Sequence, residues 1–176
     1  MILQLPPPPL KMKDVGLELL EGEYNIIEFP HSTEELNVIN TRFLELRTAI
    51  SIKGERHPDI NSIVEDSIFE AIEEGFYFAG ARVVAALLEN PEAIPKEWRK
   101  IADTDWFYEK SGGLSFLGSS LVPVDKERPS AVLSPFYARG RWHGGYRDLI
   151  YDEATVESVR SKGNHVLRDY FVVYRG

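Results

Sequence analysis

The densest group of residues able to do chemistry lies between Arg139 and Asp148, where arginines, a histidine and two aromatic residues surround three glycines. Arginine forks match phosphate oxygens, and aromatic rings can stack on bases. The stretch therefore predicts a site for phosphate or a stacked base. The candidate ligand-binding residues are Arg139, Arg141, Trp142, His143, Tyr146, Arg147 and Arg168. A twisted hairpin with solvated arginines and packed aromatics is the alternative interpretation.

Two histidines, His143 and His165, are the candidates for a catalytic role. In a nuclease either one could move a proton at a 2′-hydroxyl while arginines stabilise the charged phosphorane. A metal site is not predicted: in a strand, His165 and Asp169 would lie about 13 Å apart, too far for one ion. No cofactor is predicted either.

The sequence lacks the common signatures of enzymes. It has no cysteine, which excludes cysteine nucleophiles, thiolate metal sites and disulfides. Neither GxGxxG nor GxxxxGK[ST] occurs, and Ser119 and Ser120 are not part of a GxSxG motif. The acidic residues between Glu65 and Glu74 have no histidine beside them, so they predict a solvated face. These observations favour a protein that is not an enzyme.

Length and charge bound the class of protein. A chain of 176 residues with 43% hydrophobic content predicts a single domain, residues 1–176, with a core of its own. The net charge of −8 disfavours nonspecific binding to nucleic acid or anionic membranes. The first residues lack the pattern of a secretion signal, so we expect a cytoplasmic protein with no membrane segment.

One long helix is predicted from Asp59 to Asn90. Apolar residues recur there at spacings of three and four, which places them on one side of a helix. They are Ile60, Val64, Ile68, Ile72, Phe76, Ala79, Val83 and Leu87. Between Phe76 and Leu88 only Arg82 is neither apolar nor glycine, so we expect this half to be surrounded by other elements. Kinks are expected at Gly75 or Gly80.

A second helix is predicted after Ser32, which has capping-box spacing to Glu35. Its apolar seam consists of Leu36, Ile39, Phe43, Leu46 and Ile50. The short link at residues 54–58 predicts that the two helices form an antiparallel hairpin over residues 32–90. The same seam could instead join two copies of the chain in a homodimer.

Strands are predicted in the C-terminal half, residues 104–176. Four runs rich in valine, leucine, phenylalanine and tyrosine are separated by glycine and proline. They are Leu114 to Val124, Ala131 to Ala138, Arg141 to Tyr151 and His165 to Tyr174. The predicted fold is α+β, a helical hairpin packed on a small antiparallel sheet formed mainly by this half. A strand between Val15 and Phe29 could join the sheet.

The N-terminal residues 1–13 form a proline-rich arm, with prolines from Pro6 to Pro9. A polyproline II arm of this kind packs on its own domain or on a neighbouring subunit, and it could also bind an SH3-like or WW-like partner.

Taken together, these features predict a non-enzymatic protein-interaction module, that is, a small cytoplasmic adaptor, inhibitor or assembly component. Its partner would be another protein or its own copy. The alternative is a phosphate-binding or RNA-binding protein, or a small nuclease, that uses the arginine and histidine residues of the C-terminal sheet. Nucleic acid is the less favoured partner because the chain is acidic.

Overall fold

Strands outnumber helices in the part of the chain that the structure describes. The computed structural model describes residues 1–29, 32–53, 68–103, 113–125, 127, 130–148 and 166–176. Within these residues there are eleven strands and three short helices. The strands are β1 (Ile2–Gln4), β2 (Tyr24–Glu28), β3 (Val38–Asn40), β4 (Leu44–Lys53), β5 (Tyr77–Phe78), β6 (Leu114–Pro123), β7 (Ala131–Leu133), β8 (Phe136–Ala138), β9 (Arg141–His143), β10 (Tyr146–Asp148) and β11 (Val166–Tyr174).

The helices are short and lie in the middle of the chain. They are α1 (residues 68–73), α2 (Ala81–Glu89) and α3 (Trp98–Ala102). Short 3-10 helices connect several strands: Met12–Val15, Glu18–Leu20, Thr33–Glu35, Thr41–Phe43 and Pro91–Ala93. Within the described residues no helix has the length and apolar character needed to cross a membrane.

The main sheet has seven strands and is mixed. Its principal order is β10-β7-β6-β11-β4, and β2 also pairs with β6 while β5 pairs with β11. The pairing between β11 and β6 is parallel, and the other pairings in this sheet are antiparallel. The separate pairs β1-β3 and β8-β9 are antiparallel ribbons.

The predicted helical hairpin is wrong. Residues 32–53 form two 3-10 turns, β3 and β4 instead of a helix. β4 pairs with β11 along its whole length, from Leu44 opposite Tyr174 to Lys53 opposite Val166. Leu44, Leu46 and Thr48 alternate with charged residues, which fits a strand. The predicted seam fits a helix equally well, so the local pattern does not decide between helix and strand. The long-range pairing with β11 selects the strand. The predicted link at residues 54–58 lies outside the described residues.

The predicted long helix is divided into two. Residues 68–73 are helical, but the chain then turns at Gly75 (φ 81°), forms β5 and begins a new helix at Ala81. Glycine at positive φ is a common end of a helix. The part of the prediction at residues 59–67 lies outside the described residues.

The predicted seam residues do not form a dimer stripe on a helix. Ile39 is 1% exposed and lies in the core, and Phe43 packs edge-on against Tyr174 with ring centroids 6.4 Å apart. Leu36 and Leu46 are half-buried against the same core, and the side chain of Ile50 lies outside what the structure describes. Homodimer formation itself stays a prediction.

The strands of the C-terminal half lie in the runs where strands were predicted, but the sheet is larger and more mixed than expected. β2 and β4 come from the N-terminal half, so the sheet spans the chain. Residues 171–174 of β11 are all buried, because the sheet is covered on both faces there.

Helix α2 lies at the centre of the molecule. All residues from Ala81 to Leu87 are buried, and the helix packs on β6 and on the 3-10 helices Met12–Val15 and Thr33–Glu35. The expected burial is confirmed for Ala81 to Leu87, whereas residues 76–80 are not helical and Tyr77 is 37% exposed. The proline-rich arm lies on the same domain, with Pro7 to Pro9 exposed.

Candidate functional site

The loop between α2 and α3 and the hairpin β8-β9 border an open groove of about 830 Å³. We call it the Trp142 groove. Its apolar and aromatic lining consists of Leu88, Pro91, Ile94, Pro95, Tyr137 and Trp142. Its charged lining consists of Glu92, Lys96, Arg99 and Arg141. A volume of this size lies in the range of ordinary ligand sites.

The hairpin that forms one wall is set by a tight turn. Ala138 pairs with Arg141, so the loop contains only Arg139 and Gly140. Both have positive φ, 51° and 79°, as a type I′ turn requires. The turn places Tyr137 opposite Trp142, and their rings meet edge to face at 5.7 Å. The turn therefore aligns two aromatic rings along the groove.

The opposite wall approaches the hairpin through Arg99 of α3. Its guanidinium carbon lies 3.9 Å from the centroid of the Tyr137 ring. Stacking uses the face of the guanidinium, so its in-plane N–H groups can still donate to an anion. Pro91 and Pro95 lie at the ends of the short loop that leads into α3, and these two residues keep that wall stiff.

The structure divides the residues that the sequence grouped into one ligand site. Arg141 and Trp142 line the groove, and Arg139 is exposed at the turn. Arg147 lies in β10 and donates from Nη2 to Ser115 Oγ at 2.6 Å. Tyr146 is 43% exposed and its ring lies 5.8 Å from that of Tyr24.

The predicted catalytic histidines are not both described. His143 stacks on Phe136 with ring centroids 5.2 Å apart, and its Nε2 lies 3.1 Å from the carbonyl oxygen of Ala138. Its ring is therefore engaged within the hairpin. His165 lies outside the described residues. The side chain of Arg168, which is opposite Ser51 in the sheet, also lies outside them.

A second polar cluster lies at the start of α2. The amides of Gly80, Ala81 and Arg82 donate to Thr33 Oγ1, Ser119 Oγ and Glu34 Oε1 at 3.2, 2.8 and 3.1 Å. These three acceptors satisfy amides that a helix leaves without internal partners. Thr33 and Ser119 are fully buried, so no substrate can reach their hydroxyls.

The guanidinium of Arg82 is the central element of this cluster. Arg82 is 3% exposed and donates to four backbone carbonyls. They are Pro6 O at 2.6 Å, Glu34 O at 2.6 Å, Leu36 O at 2.7 Å and Leu5 O at 3.3 Å. A single buried cation thereby ties the proline-rich arm and the segment after Thr33 to α2.

Glu34 is a buried acid with an unusual pKa. Its burial raises the pKa to about 7, and the neighbouring Glu28 carboxylate acts in the same direction. The hydrogen bond from the Arg82 amide and the positive charge of Arg82 oppose this rise. The cluster is a structural support for α2 whose charge state changes near neutral pH.

Sequence reasoning missed Lys96, Arg99 and Tyr137 in the groove and Glu34 in the buried cluster. Arg82 carried a signal, because a lone arginine in an apolar run must find hydrogen-bond acceptors when it is buried. No signal in the sequence pointed to the groove, since its walls come from segments about 40 residues apart. In the described part of the chain, no group of three or more histidine or acidic side chains could hold a metal ion.

The chain was compared with models of protein families, with curated proteins and with solved structures. No family model, no curated protein and no solved structure matches it.

Proposed function

We propose that this protein is a non-enzymatic protein-interaction module and that the Trp142 groove takes an extended segment of its partner. The observation that carries the proposal is the lining of the groove, in which Pro91 is exposed, Pro95 and Trp142 are partly exposed, and the buried Tyr137 lies against Trp142. Aromatic residues at an exposed groove are typical anchors of protein interfaces.

The absence of reactive groups in the groove supports a binding role over catalysis. Among the described residues that line it, the charged ones are three cations and one acid, and none is a histidine or a serine. The buried hydroxyls and the carboxyl at the start of α2 are closed to substrates. Turnover of a substrate by the purified protein in a broad hydrolase screen would refute the non-enzymatic role.

The test is a selection from a random peptide library displayed on phage, using the full chain as bait. We expect selected peptides to bind the wild type and to lose binding to Trp142→Ala. Because Trp142 also packs on Tyr137, a second variant, Pro91→Glu, places a charge on an exposed position of the groove without disturbing the core.

The matched control is Phe69→Ala, which removes an exposed aromatic side chain from α1, far along the chain from the groove. Peptides that bind wild type and this control but neither groove variant support the proposal. Peptides that bind all four proteins equally, or a selection that yields no binder, contradict it.

Phosphate or RNA binding remains the second candidate from the sequence. Arg141 and Trp142 line the groove together with two more cations, which is the observation in its favour. Against it, Arg147 is bonded to Ser115 and His143 is engaged with Ala138. The net charge of −8 also opposes a polyanion that extends past the groove.

A further inference from the structure

The charged residues of the Trp142 groove differ in sign from the protein as a whole. Lys96, Arg99 and Arg141 are all exposed there against the single acid Glu92, whereas the chain carries a net charge of −8. Among the described residues, none of these three cations forms an ion pair with an acid. The groove is a local positive site on an acidic protein.

The range of the electrostatic attraction limits what this site can recognise. At 0.1 M salt, charges more than about 10 Å apart are largely screened from each other. A partner whose few carboxylates fit inside the groove is attracted by the three cations. Salt screens it from the negative charges elsewhere on the protein. A nucleic acid carries a charge at every phosphate, so its ends would extend past the groove on a protein whose net charge is −8.

The geometry of the groove also defines the arrangement of the partner. The apolar surface of Trp142 and Pro95 accepts an apolar or proline side chain. Arg99 is held flat against Tyr137, so its in-plane N–H groups suit the two oxygens of a carboxylate. Cations beside an aromatic surface thus favour carboxylates beside an apolar residue.

We propose that the groove binds an extended acidic segment of a partner protein, with an apolar or proline side chain on Trp142 and flanking carboxylates on Lys96, Arg99 and Arg141. This inference rests on the proposed function and specifies the chemistry of the partner. The segment bound is short, because only three cations are among the described residues that line the groove and Glu92 stands among them.

The test measures fluorescence anisotropy of labelled probes with the full-length protein. One peptide carries aspartate and glutamate around a central Pro-Leu pair, and a second has the same sequence with asparagine and glutamine in place of the acids. A short RNA of equal charge is the third probe. We expect the acidic peptide to bind more tightly than the amide peptide, and more weakly as salt rises.

Four single substitutions at exposed positions link binding to the groove. Arg141→Gln and Lys96→Gln should each weaken binding of the acidic peptide by about two- to fivefold, the usual range for an exposed ion pair. Glu92→Gln should strengthen it by roughly twofold, because a repelling charge is removed. Lys100→Gln is the control: this lysine is exposed on α3 next to Arg99 but does not line the groove.

The outcomes separate the inference from the proposed function. Equal binding of the acidic and amide peptides, each lost in Trp142→Ala, refutes the acidic partner and leaves the peptide groove standing. Tighter binding of the RNA than of the acidic peptide, with the same dependence on Arg141 and Lys96, overturns the inference in favour of nucleic acid. No binding of any probe, together with no groove-dependent peptide from the library, refutes both.

Discussion

The pH dependence of stability should depend on Glu34, and Glu34→Gln is the perturbation that shows it. This carboxyl is 5% exposed, and its burial, together with Glu28, raises its pKa from 4.5 to about 7. Below pH 4.5 it is protonated in the folded and unfolded chain alike. Between pH 4.5 and 7 the folded protein keeps a proton that the unfolded chain releases, so the free energy of unfolding falls as pH rises.

The magnitude follows from the difference between the two pKa values. One pKa unit corresponds to about 1.4 kcal/mol, so the full effect is about 3 kcal/mol and is complete once the pH passes the folded pKa. Glutamine is neutral at every pH and keeps an oxygen to accept from the Arg82 amide, which now donates to Glu34 Oε1 at 3.1 Å. The variant should therefore match wild type near pH 4.5 and exceed it by about 3 kcal/mol near pH 8.

The assay is urea unfolding of both proteins at a series of pH values, followed by tryptophan fluorescence. The other acids contribute equally to wild type and variant, so the difference between the two curves isolates Glu34. Glu28→Gln serves as a second background. It removes the neighbouring carboxylate that raises the pKa of Glu34, so the pH-dependent effect of Glu34→Gln should be smaller in this background than in wild type. A difference that stays constant with pH, or that changes in favour of wild type as pH rises, refutes the reasoning.

Two further predictions concern the packing around α2. Arg82→Met keeps an unbranched side chain but leaves four carbonyl groups at this site without their donor, so the free energy of unfolding should fall by about 3 kcal/mol or more; a urea midpoint within error of wild type would contradict this. Gly118→Ala would place a Cβ 2.4 Å from the carbonyl oxygen of Phe78, so it should cost about 1 to 3 kcal/mol. The control Gly22→Asn lies at an exposed turn with open space, and asparagine tolerates its φ of 81° better than most side chains, so it should lose less stability than Gly118→Ala in a thermal scan; equal losses in both variants would argue against the close contact.

Residue types alone identified some residues of the candidate site and missed others. Arg141 and Trp142 were named from the sequence because arginine forks match phosphate oxygens and aromatic rings stack on bases, and the structure places both in the lining of the groove. Their neighbours Lys96 and Arg99 were not, since a basic residue on a short helix is ordinary surface in the sequence. They become part of a site only because α3 packs beside β8, where Arg99 stacks on Tyr137.

The buried cluster gives the opposite case. Ser32 was predicted to cap a helix, and its hydroxyl does accept the amide of Glu34, but the helix it begins is a single 3-10 turn. The capping role of Ser32 could therefore be predicted from the sequence. The burial of Glu34 against the start of α2 could not be predicted, because it depends on a contact with Arg82, 48 residues further along the chain.

The sequence by itself determined local features of this protein: the strand character of β11 and the burial of Ala81 to Leu87 follow from side-chain shape and apolar character. At Gly75, where only a kink was expected, the chain leaves the helix altogether. Only the tertiary structure decided residues 44–53. Their apolar residues fit both a helical seam and an alternating strand, so periodicity alone does not choose between the two. Pairing with β11 satisfies the backbone of the whole segment, and that long-range gain selects the strand.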